Sequence, residues 1–148
     1  MKAVVQRVKN ASITVNSRIT GKITHGLLVY LGVAAEDGEK DSEWMAEKTV
    51  NLRIFEDSQG KMNLSLKETE GSGILAVSQF TLLGDAGKGR RPYFGAAAAP
   101  GKAKSLYEIF LENIKKQGIT CESGVFQAHM EVTYTNDGPV TILLDSKS

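Results

Sequence analysis

The sequence predicts a single α+β domain, built on a mainly antiparallel β-sheet or barrel with two main helices. Residues 11–15 and 130–135 alternate apolar and polar side chains, a period of two that is typical of strands with one buried face. Apolar residues recur at helical spacing over 102–117, which indicates an amphipathic helix. The length of 148 residues fits one domain, since a chain of this size buries about 68–70% of its unfolded surface.

An apolar segment and a hairpin signal follow the first strand. Residues 27–33 form a continuous apolar run, which favours a strand covered on both sides. The Glu36-Asp37-Gly38 sequence has the composition of a turn that ends this strand. Further along, residues 52–55 and the Ser58-Gln59-Gly60 turn predict a short hairpin.

A first helix is predicted between these two segments. Asp41 has the residue type of an N-cap, and Glu43 and Glu47 suit the N-terminal part of a helix that runs to about Asn51. The residues assigned to its apolar face, or to the core beside it, are Trp44, Met45, Thr49 and Leu52.

The strongest later strand is predicted at 74–83, and it carries polar side chains in its interior. Ser78, Gln79 and Thr81 stand among apolar neighbours. A buried polar group without a hydrogen-bond partner costs about 1–3 kcal/mol. These side chains therefore either face solvent on the outer side of the sheet or serve a function.

The C-terminal segment has the pattern of a hairpin. Residues 130–135 and 140–144 alternate on either side of Asn136-Asp137-Gly138-Pro139, and Asp-Gly is a strong turn signal. Pro139 is unusual there, because it removes a backbone donor at the start of a strand and restricts the residue before it. A fixed Gly-Pro unit presents carbonyl oxygens with no Cβ in the way, so it is a candidate steric gauge as well as a turn.

Gly118 fits the position after the C-cap of the second helix. Residues 84–95, before that helix, are predicted to form a Gly/Arg-rich loop. The loop mixes aromatic rings with cations, a combination that contacts phosphates and stacks on bases. The alternative is a solvated loop. The net charge is +1, but residues 86–116 hold seven cations against two acids, a local charge of +5. A nucleic-acid partner is therefore compatible with the near-neutral total, and its candidate contacts are Lys88, Arg90 and Arg91.

Familiar catalytic and metal-binding signatures are absent from the sequence. The stretch 87–92 lacks the spacing of a phosphate-binding loop, and the chain has no H-E-x-x-H or G-x-S-x-G motif. The two histidines, His25 and His129, are expected to be surface or packing residues. Cys121 is the only cysteine, and nothing near it in sequence lowers a thiol pKa, so it is predicted to be structural. We expect no metal and no cofactor.

The start of the chain, Met1-Lys2-Ala3-Val4-Val5, lacks the apolar core of a signal peptide. The longest apolar run, 27–33, is much shorter than the roughly 20 residues that span a bilayer. Together with the single unpaired cysteine, these features predict a cytoplasmic protein without membrane contact.

Six segments of the chain, taken in order, resemble the blocks of a known family. They are residues 1–8, Asn51-Leu52-Arg53-Ile54-Phe55, Gly60-Lys61-Met62-Asn63-Leu64-Ser65, Ser78-Gln79-Phe80-Thr81-Leu82, Gly89-Arg90-Arg91-Pro92 and Asn136-Asp137-Gly138-Pro139-Val140-Thr141. On these segments the chain resembles the D-aminoacyl-tRNA deacylases over essentially its whole length, residues 1–148 as one deacylase domain.

The resemblance implies a homodimeric hydrolase that acts in translation quality control. Such an enzyme cleaves the ester between a D-amino acid and the 3′-terminal adenosine of tRNA, and it also accepts glycine, including glycine mischarged on tRNA-Ala. A cis Gly138-Pro139 unit reaches into the partner's pocket and excludes the L-side chain, which is selection by rejection. The resemblance further implies that Met130 lines the pocket and that Arg7 braces the Gly-Pro unit.

The resemblance assigns the catalytic site to Ser78, Gln79, Phe80 and Thr81. Their hydroxyls, the amide and the backbone N–H groups near Phe80 would position the ester and its developing oxyanion. Because no base is adjacent to activate the Thr81 hydroxyl, we expect it to position the substrate rather than act as a nucleophile. In the family the 2′-hydroxyl of the tRNA is thought to assist.

Two function classes other than a deacylase remain open on the sequence. A non-catalytic tRNA-binding module would use the basic segment and show salt-sensitive binding without turnover. A dimeric interaction domain would use the polar strand only to build an interface and would have no affinity for tRNA.

Overall fold

The computed structural model describes all residues, 1–148, and contains eight strands and two α-helices. The strands are β1 (Lys2–Val15), β2 (Arg18–Ile23), β3 (Gly26–Gly32), β4 (Phe55–Glu56), β5 (Met62–Leu64), β6 (Gly73–Ser78), β7 (Thr120–Ser123) and β8 (Glu131–Asp145). The helices are α1 (Glu39–Asn51) and α2 (Pro100–Lys116). Short 3-10 helices occupy Leu66–Glu68 and Phe80–Leu83. No helix is both long and apolar enough to cross a membrane.

The long strand β1 organises the sheet. It pairs antiparallel with β8 along one side, and with β3 and then β2 along the other. β6 joins β3 and β7 through parallel pairings. The sheet curls until β2 approaches β7, so closely that a Cβ on Gly21 would lie 2.7 Å from the Ser123 carbonyl oxygen. This near-barrel with two helices confirms the predicted α+β fold.

The core has two parts because the central strands are covered on both faces. The larger cluster joins β1, β3 and β6 to both helices, and its fully buried members include Val5, Val29, Val50, Ile74 and Phe110. The smaller cluster fills the concave side of the sheet with Val8, Ala11, Ile13, Leu28, Leu75 and Val77. Alternate residues of β3 and β6 thus face opposite clusters, as the apolar run 27–33 predicted.

The first helix starts three residues before the predicted position. Gly38 is its N-cap, and the Asp41 carboxylate accepts a hydrogen bond from the Gly38 N–H at 2.9 Å. Asp41 therefore pairs with a free backbone N–H at the start of the helix, but it does so from the third helical position and is not the N-cap. Trp44 was assigned to the core and is instead 36% exposed, with the Lys48 ammonium 5.4 Å from its ring centre.

The predicted strand 74–83 ends at Ser78. The last backbone bond that continues the pairing runs from the Gln79 N–H to the Leu31 carbonyl, at 2.8 Å. Beyond this point no neighbouring strand offers a partner, and Phe80–Leu83 coil into a 3-10 helix. The strand prediction was wrong here because β-strand formation requires a neighbour as well as β-forming residues.

The predicted C-terminal hairpin is a single strand with a bulge. Both halves of β8 pair with β1, and the register slips between Gln6 and Val8, so that residues around Gly138 are looped out. The Asn136 side chain spans the base of this bulge, donating to the Arg7 and Val140 carbonyls. The Asp-Gly signal marked a real irregularity, but the chain continues in the same direction.

Other local predictions are confirmed. The turn at 58–60 joins β4 to β5, although the first strand of this hairpin is Phe55–Glu56 and not 52–55. Gly118 follows the C-cap of α2 with φ of +78°. His25 is half-buried, and its Nε2 donates a hydrogen bond to the Glu70 carbonyl at 2.9 Å. Burial raises the pKa of the half-buried Cys121 thiol to about 12, which makes it unreactive at neutral pH.

A buried hydroxyl in α1 gives a stability prediction. Thr49 is fully buried, and its Oγ1 has no hydrogen-bond partner. Thr49→Val keeps the shape and removes the unsatisfied group, so we expect the free energy of unfolding to rise by about 1 kcal/mol in urea titrations. The matched control is Ser42→Ala, also in α1, whose hydroxyl donates to the Leu106 carbonyl at 2.9 Å. Its free energy of unfolding should fall by about 1 kcal/mol; a destabilised Thr49→Val would contradict this account.

Candidate active site

A cavity of about 650 Å³ opens at the C-terminal end of β6. One wall is the turn Ser78-Gln79-Phe80, and the opposite wall is the segment 126–132. Phe94 and the small residues before and at the start of α2 close a third side. The cavity exists because β6 and β7 part after the Ala76–Ser123 pair, the last one in their register.

The polar side chains that stood out in the sequence lie at this cavity. Ser78 and Gln79 line it, and the Gln79 side-chain amide donates to the Thr81 hydroxyl at 2.5 Å. The N–H groups of Phe80 and Thr81 begin a 3-10 helix and have no acceptor within it. This turn therefore combines a hydroxyl, an amide and backbone donors in one place, the set that stabilises a developing oxyanion.

Two aromatic rings lie beside this polar turn. Phe80 is 56% exposed, and its ring meets that of Phe94 edge to face, with 5.2 Å between ring centres and 70° between planes. Both residues line the cavity. An exposed aromatic face of this kind suits contact with a base or an apolar group of a ligand.

Among the 17 lining residues of the cavity, only His129 has a titratable side chain. It is exposed and lies two residues before the start of β8. No set of three or more His, Cys, Asp or Glu residues is arranged to hold a metal ion. The site therefore offers hydrogen-bond donors and shape rather than a charged catalytic pair.

Gly138 and Pro139 lie on the exposed bulge of β8, joined by a cis peptide bond. Arg7 is 6% exposed and lies beneath them. Its guanidinium donates to the Ile54 carbonyl at 2.7 Å and to the Asp137 carbonyl at 3.3 Å, and it also pairs with the Asp137 carboxylate at 3.4 Å. The bulge is thus anchored from below, and none of its residues lines the cavity of the same chain.

The Gly/Arg-rich loop at residues 84–95, called the basic loop below, begins and ends next to the cavity. Asp85 and Tyr93 close its stem with two backbone hydrogen bonds of 2.8 Å, and Phe94 follows directly. Lys88, Arg90 and Arg91 are exposed and have no acidic side chain within 4.0 Å. The α2 lysines 104 and 115 differ, since each pairs with a glutamate on the same helix.

The model of the D-Tyr-tRNA(Tyr) deacylase family matches residues 4–145. This chain belongs to that family. By its membership it is a deacylase, a hydrolase of the aminoacyl-tRNA ester bond. The D-aminoacyl-tRNA deacylase of Koribacter versatilis is 59% identical over 147 residues, which are 99% of this chain and 98% of the relative.

Two solved structures share the fold of this deacylase. One, described as a c-Myc DNA unwinding element binding protein, is 43% identical with a TM-score of 0.91 and covers 98% of both chains. The other, described as a probable eukaryotic D-amino acid tRNA deacylase, is 18% identical with a TM-score of 0.84 and covers 97% of both chains. The second likeness concerns the fold alone.

The deacylase brings together only part of the predicted site. Ser78, Gln79, Phe80 and Met130 line the cavity, and Thr81 joins them through the Gln79 amide. Arg7, Gly138 and Pro139 form a separate group on β1 and β8. Sequence reasoning missed the wall residues Phe126 and Gln127, and it did not place His129 at the cavity. Gln127, with φ of +64°, has no motif that would have revealed its place.

Proposed function

We propose that this deacylase hydrolyses D-aminoacyl-tRNA in the cavity at Ser78, Gln79 and Phe80, releasing the free D-amino acid and tRNA. The observation that carries the proposal is the polar turn itself, which sets hydroxyl, amide and backbone donors at the end of a buried strand. An aminoacyl ester is already activated, so oriented donors supply the main requirement. We place the reaction in the cytoplasm, the compartment that holds charged tRNA.

The proposed reaction is an ordinary ester hydrolysis. Water attacks the carbonyl carbon, the bond to the ribose oxygen breaks, and that oxygen takes a proton. The Phe80 and Thr81 N–H groups form the oxyanion site, while Gln79 orients Thr81 at 2.5 Å. Since no side chain near Thr81 is placed to remove its proton, its hydroxyl positions the substrate. The 2′-hydroxyl of the terminal ribose is the proposed source of assistance to the water.

Discrimination between D- and L-aminoacyl groups is proposed to come from a second subunit. Gly138 and Pro139 are exposed and lie outside the cavity of their own chain. In a homodimer they would enter the partner's cavity, where their carbonyl oxygens leave no space for an L-side chain. Glycine has no side chain to exclude, so glycyl-tRNA, including glycine mischarged on tRNA-Ala, is also a proposed substrate.

An apolar row on the sheet suits the proposed dimer. Leu143, Val4 and Tyr30 are neighbours across β8, β1 and β3 in the strand register. Leu143 is 77% exposed and lies on β8, an edge strand that pairs only with β1. The row continues the smaller core cluster, against which Tyr30 packs. A second copy of the chain would cover this row and bring its own bulge with it.

The acceptor end of tRNA is proposed to contact the basic loop. We expect replacement of Lys88, Arg90 and Arg91 by glutamine to raise KM on the order of tenfold at 0.15 M salt, and to flatten the salt dependence of binding by about two to three log units per log unit of salt. The value of kcat should change little, because none of the three lines the cavity. Filter binding and steady-state kinetics over a salt series measure both effects.

The control for the basic loop replaces Lys22, Lys40 and Lys67 by glutamine. These lysines are also exposed and lie outside the basic loop and α2. An equal rise in KM for both triple variants would reject the basic loop as the tRNA contact. A DNA duplex competitor tests whether the loop instead binds DNA, the ligand that the name of the 43% identical protein mentions.

The deciding assay offers matched D- and L-aminoacyl-tRNA, and glycyl-tRNA, to the purified protein. We expect rapid hydrolysis of the D-form and of glycyl-tRNA, with the L-form left intact. Tight, salt-sensitive binding of tRNA without hydrolysis would favour a non-catalytic binding module. Equal hydrolysis of both hands would reject the stereoselective function, and absence of tRNA affinity would favour a simple interaction domain.

A further inference from the structure

Tyr107 lies where the sheet opens to form the cavity. It belongs to α2, is 5% exposed, and donates from its hydroxyl to the Ala76 carbonyl at 3.1 Å. The same carbonyl accepts the Gly124 N–H at 3.3 Å. Ala76 is the last β6 residue paired with β7. Beyond it one chain segment runs to Ser78 and the other turns away to become the opposite cavity wall.

The ring of Tyr107 also touches that opposite wall. Its centre is 6.1 Å from the ring centre of Phe126, at 38° between planes, and Phe126 lines the cavity. A single α2 side chain thus contacts the end of β6 through its hydroxyl and the cavity wall through its ring. No other α2 side chain donates a hydrogen bond to β6.

Packing alone does not require the hydroxyl. A phenylalanine would fill the same space, and the Ala76 carbonyl already has a donor in the Gly124 N–H. Burial raises the pKa of the Tyr107 hydroxyl, so it remains a protonated donor across the working pH range. The hydroxyl is thus a second donor to the Ala76 carbonyl, and it links α2 directly to the end of β6.

We propose that Tyr107 is a positioning residue of the deacylase: its hydroxyl sets the separation of Ser78 from Phe126 and so the width of the cavity. The proposal rests on the assignment of this cavity as the active site. Tyr107 does not line the cavity, and it acts through Ala76 and Phe126. A cavity that is wider by a fraction of an ångström would hold the ester carbonyl away from the donors at Phe80.

The test compares Tyr107→Phe with Ser42→Ala. Each loses one buried hydroxyl that donates to a backbone carbonyl, but Ser42 joins α1 to Leu106, and neither of those residues lines the cavity. We expect kcat for D-aminoacyl-tRNA to fall about tenfold in Tyr107→Phe, with KM within about twofold, because misplacement acts on the chemical step. Ser42→Ala should keep both constants. Equal constants for the two variants would overturn the proposal.

A double-mutant cycle with Phe126→Leu supplies the second test. If Tyr107 acts through the Phe126 wall, removal of its hydroxyl should cost less than about threefold in kcat once that wall is changed. Fully additive effects would contradict the proposal. Wild-type hydrolysis is measured first in the same assay: its absence rejects the proposed function, whereas normal wild-type hydrolysis with an unaffected Tyr107→Phe rejects only the positioning role.

Discussion

Gly138→Ala should lower the ratio of D- to L-aminoacyl-tRNA hydrolysis at least about tenfold. A Cβ at this position would lie 2.8 Å from Val140 Cγ2 and 3.0 Å from Arg7 Nη2, and Gly138 has φ of +125°, where L side chains are rarely found. The backbone must therefore move away from a fixed, buried guanidinium. Such a movement shifts the carbonyl oxygens that are proposed to exclude the L-side chain.

The matched control for this prediction is Gly60→Ala. Gly60 also has a positive φ, +74°, but it lies in the β4–β5 turn with no atom within 4 Å of an added Cβ. Both variants should lose about 1 kcal/mol of stability from the backbone. Only Gly138→Ala should change the D-to-L ratio, measured as initial rates with the same tRNA. An unchanged ratio in a folded Gly138→Ala protein would reject the gauge.

Mixing two variants tests whether the gauge works across subunits. The Gln79→Ala chain is expected to lose about 10²–10³-fold in kcat through loss of a positioning donor, but it keeps Gly138. In a tenfold excess it would pair with almost every Gly138→Ala chain. The active cavity would then face an intact Gly138, and the D-to-L ratio should return to the wild-type value. If the gauge served its own chain, the ratio would stay low.

The sequence predicted those elements whose pattern is local. The apolar run that starts at residue 27 predicted the buried strand β3, and α2 formed close to its predicted place because its apolar residues repeat at helical spacing. The predictions failed where the local structure depends on pairing with a residue far away in the sequence. The Asp137-Gly138 signal is the same for a hairpin and for a bulge, and the 14-residue length of β1 provides a partner on both sides of it.

For the same reason, the sequence predicted only one of the two walls of the candidate site. Ser78, Gln79 and Thr81 stood out because polar residues in an apolar strand need a purpose. The facing wall at Phe126 and Gln127 carried no such contrast, since its position depends on the parallel pairing of β6 with β7 more than forty residues away. The prediction of a buried Trp44 was wrong for another reason. Aromatic residues are buried on average, but here the helix face leaves the ring in contact with solvent and with Lys48.

Leu143→Asp should convert the protein to a monomer that no longer discriminates between the two hands. Leu143 is 77% exposed in the single chain, so the charge meets water there and the fold is kept. In the proposed dimer the same carboxylate would be buried beside Val4 and Tyr30 without a partner charge. Burial of an unpaired charge costs several kcal/mol, more than enough to separate a typical dimer.

Light scattering measures the mass of the Leu143→Asp protein, and initial rates with D- and L-aminoacyl-tRNA measure its D-to-L ratio. Met62→Asp is the control, since Met62 is 58% exposed on the small β4–β5 hairpin, away from the apolar row. It should keep the mass and the D-to-L ratio of the wild type. A Leu143→Asp protein that remains a dimer would reject the apolar row as the interface. A monomer that still rejects L-aminoacyl-tRNA would instead reject the cross-subunit gauge, because in a monomer the exposed Gly138 and Pro139 have no second cavity to enter.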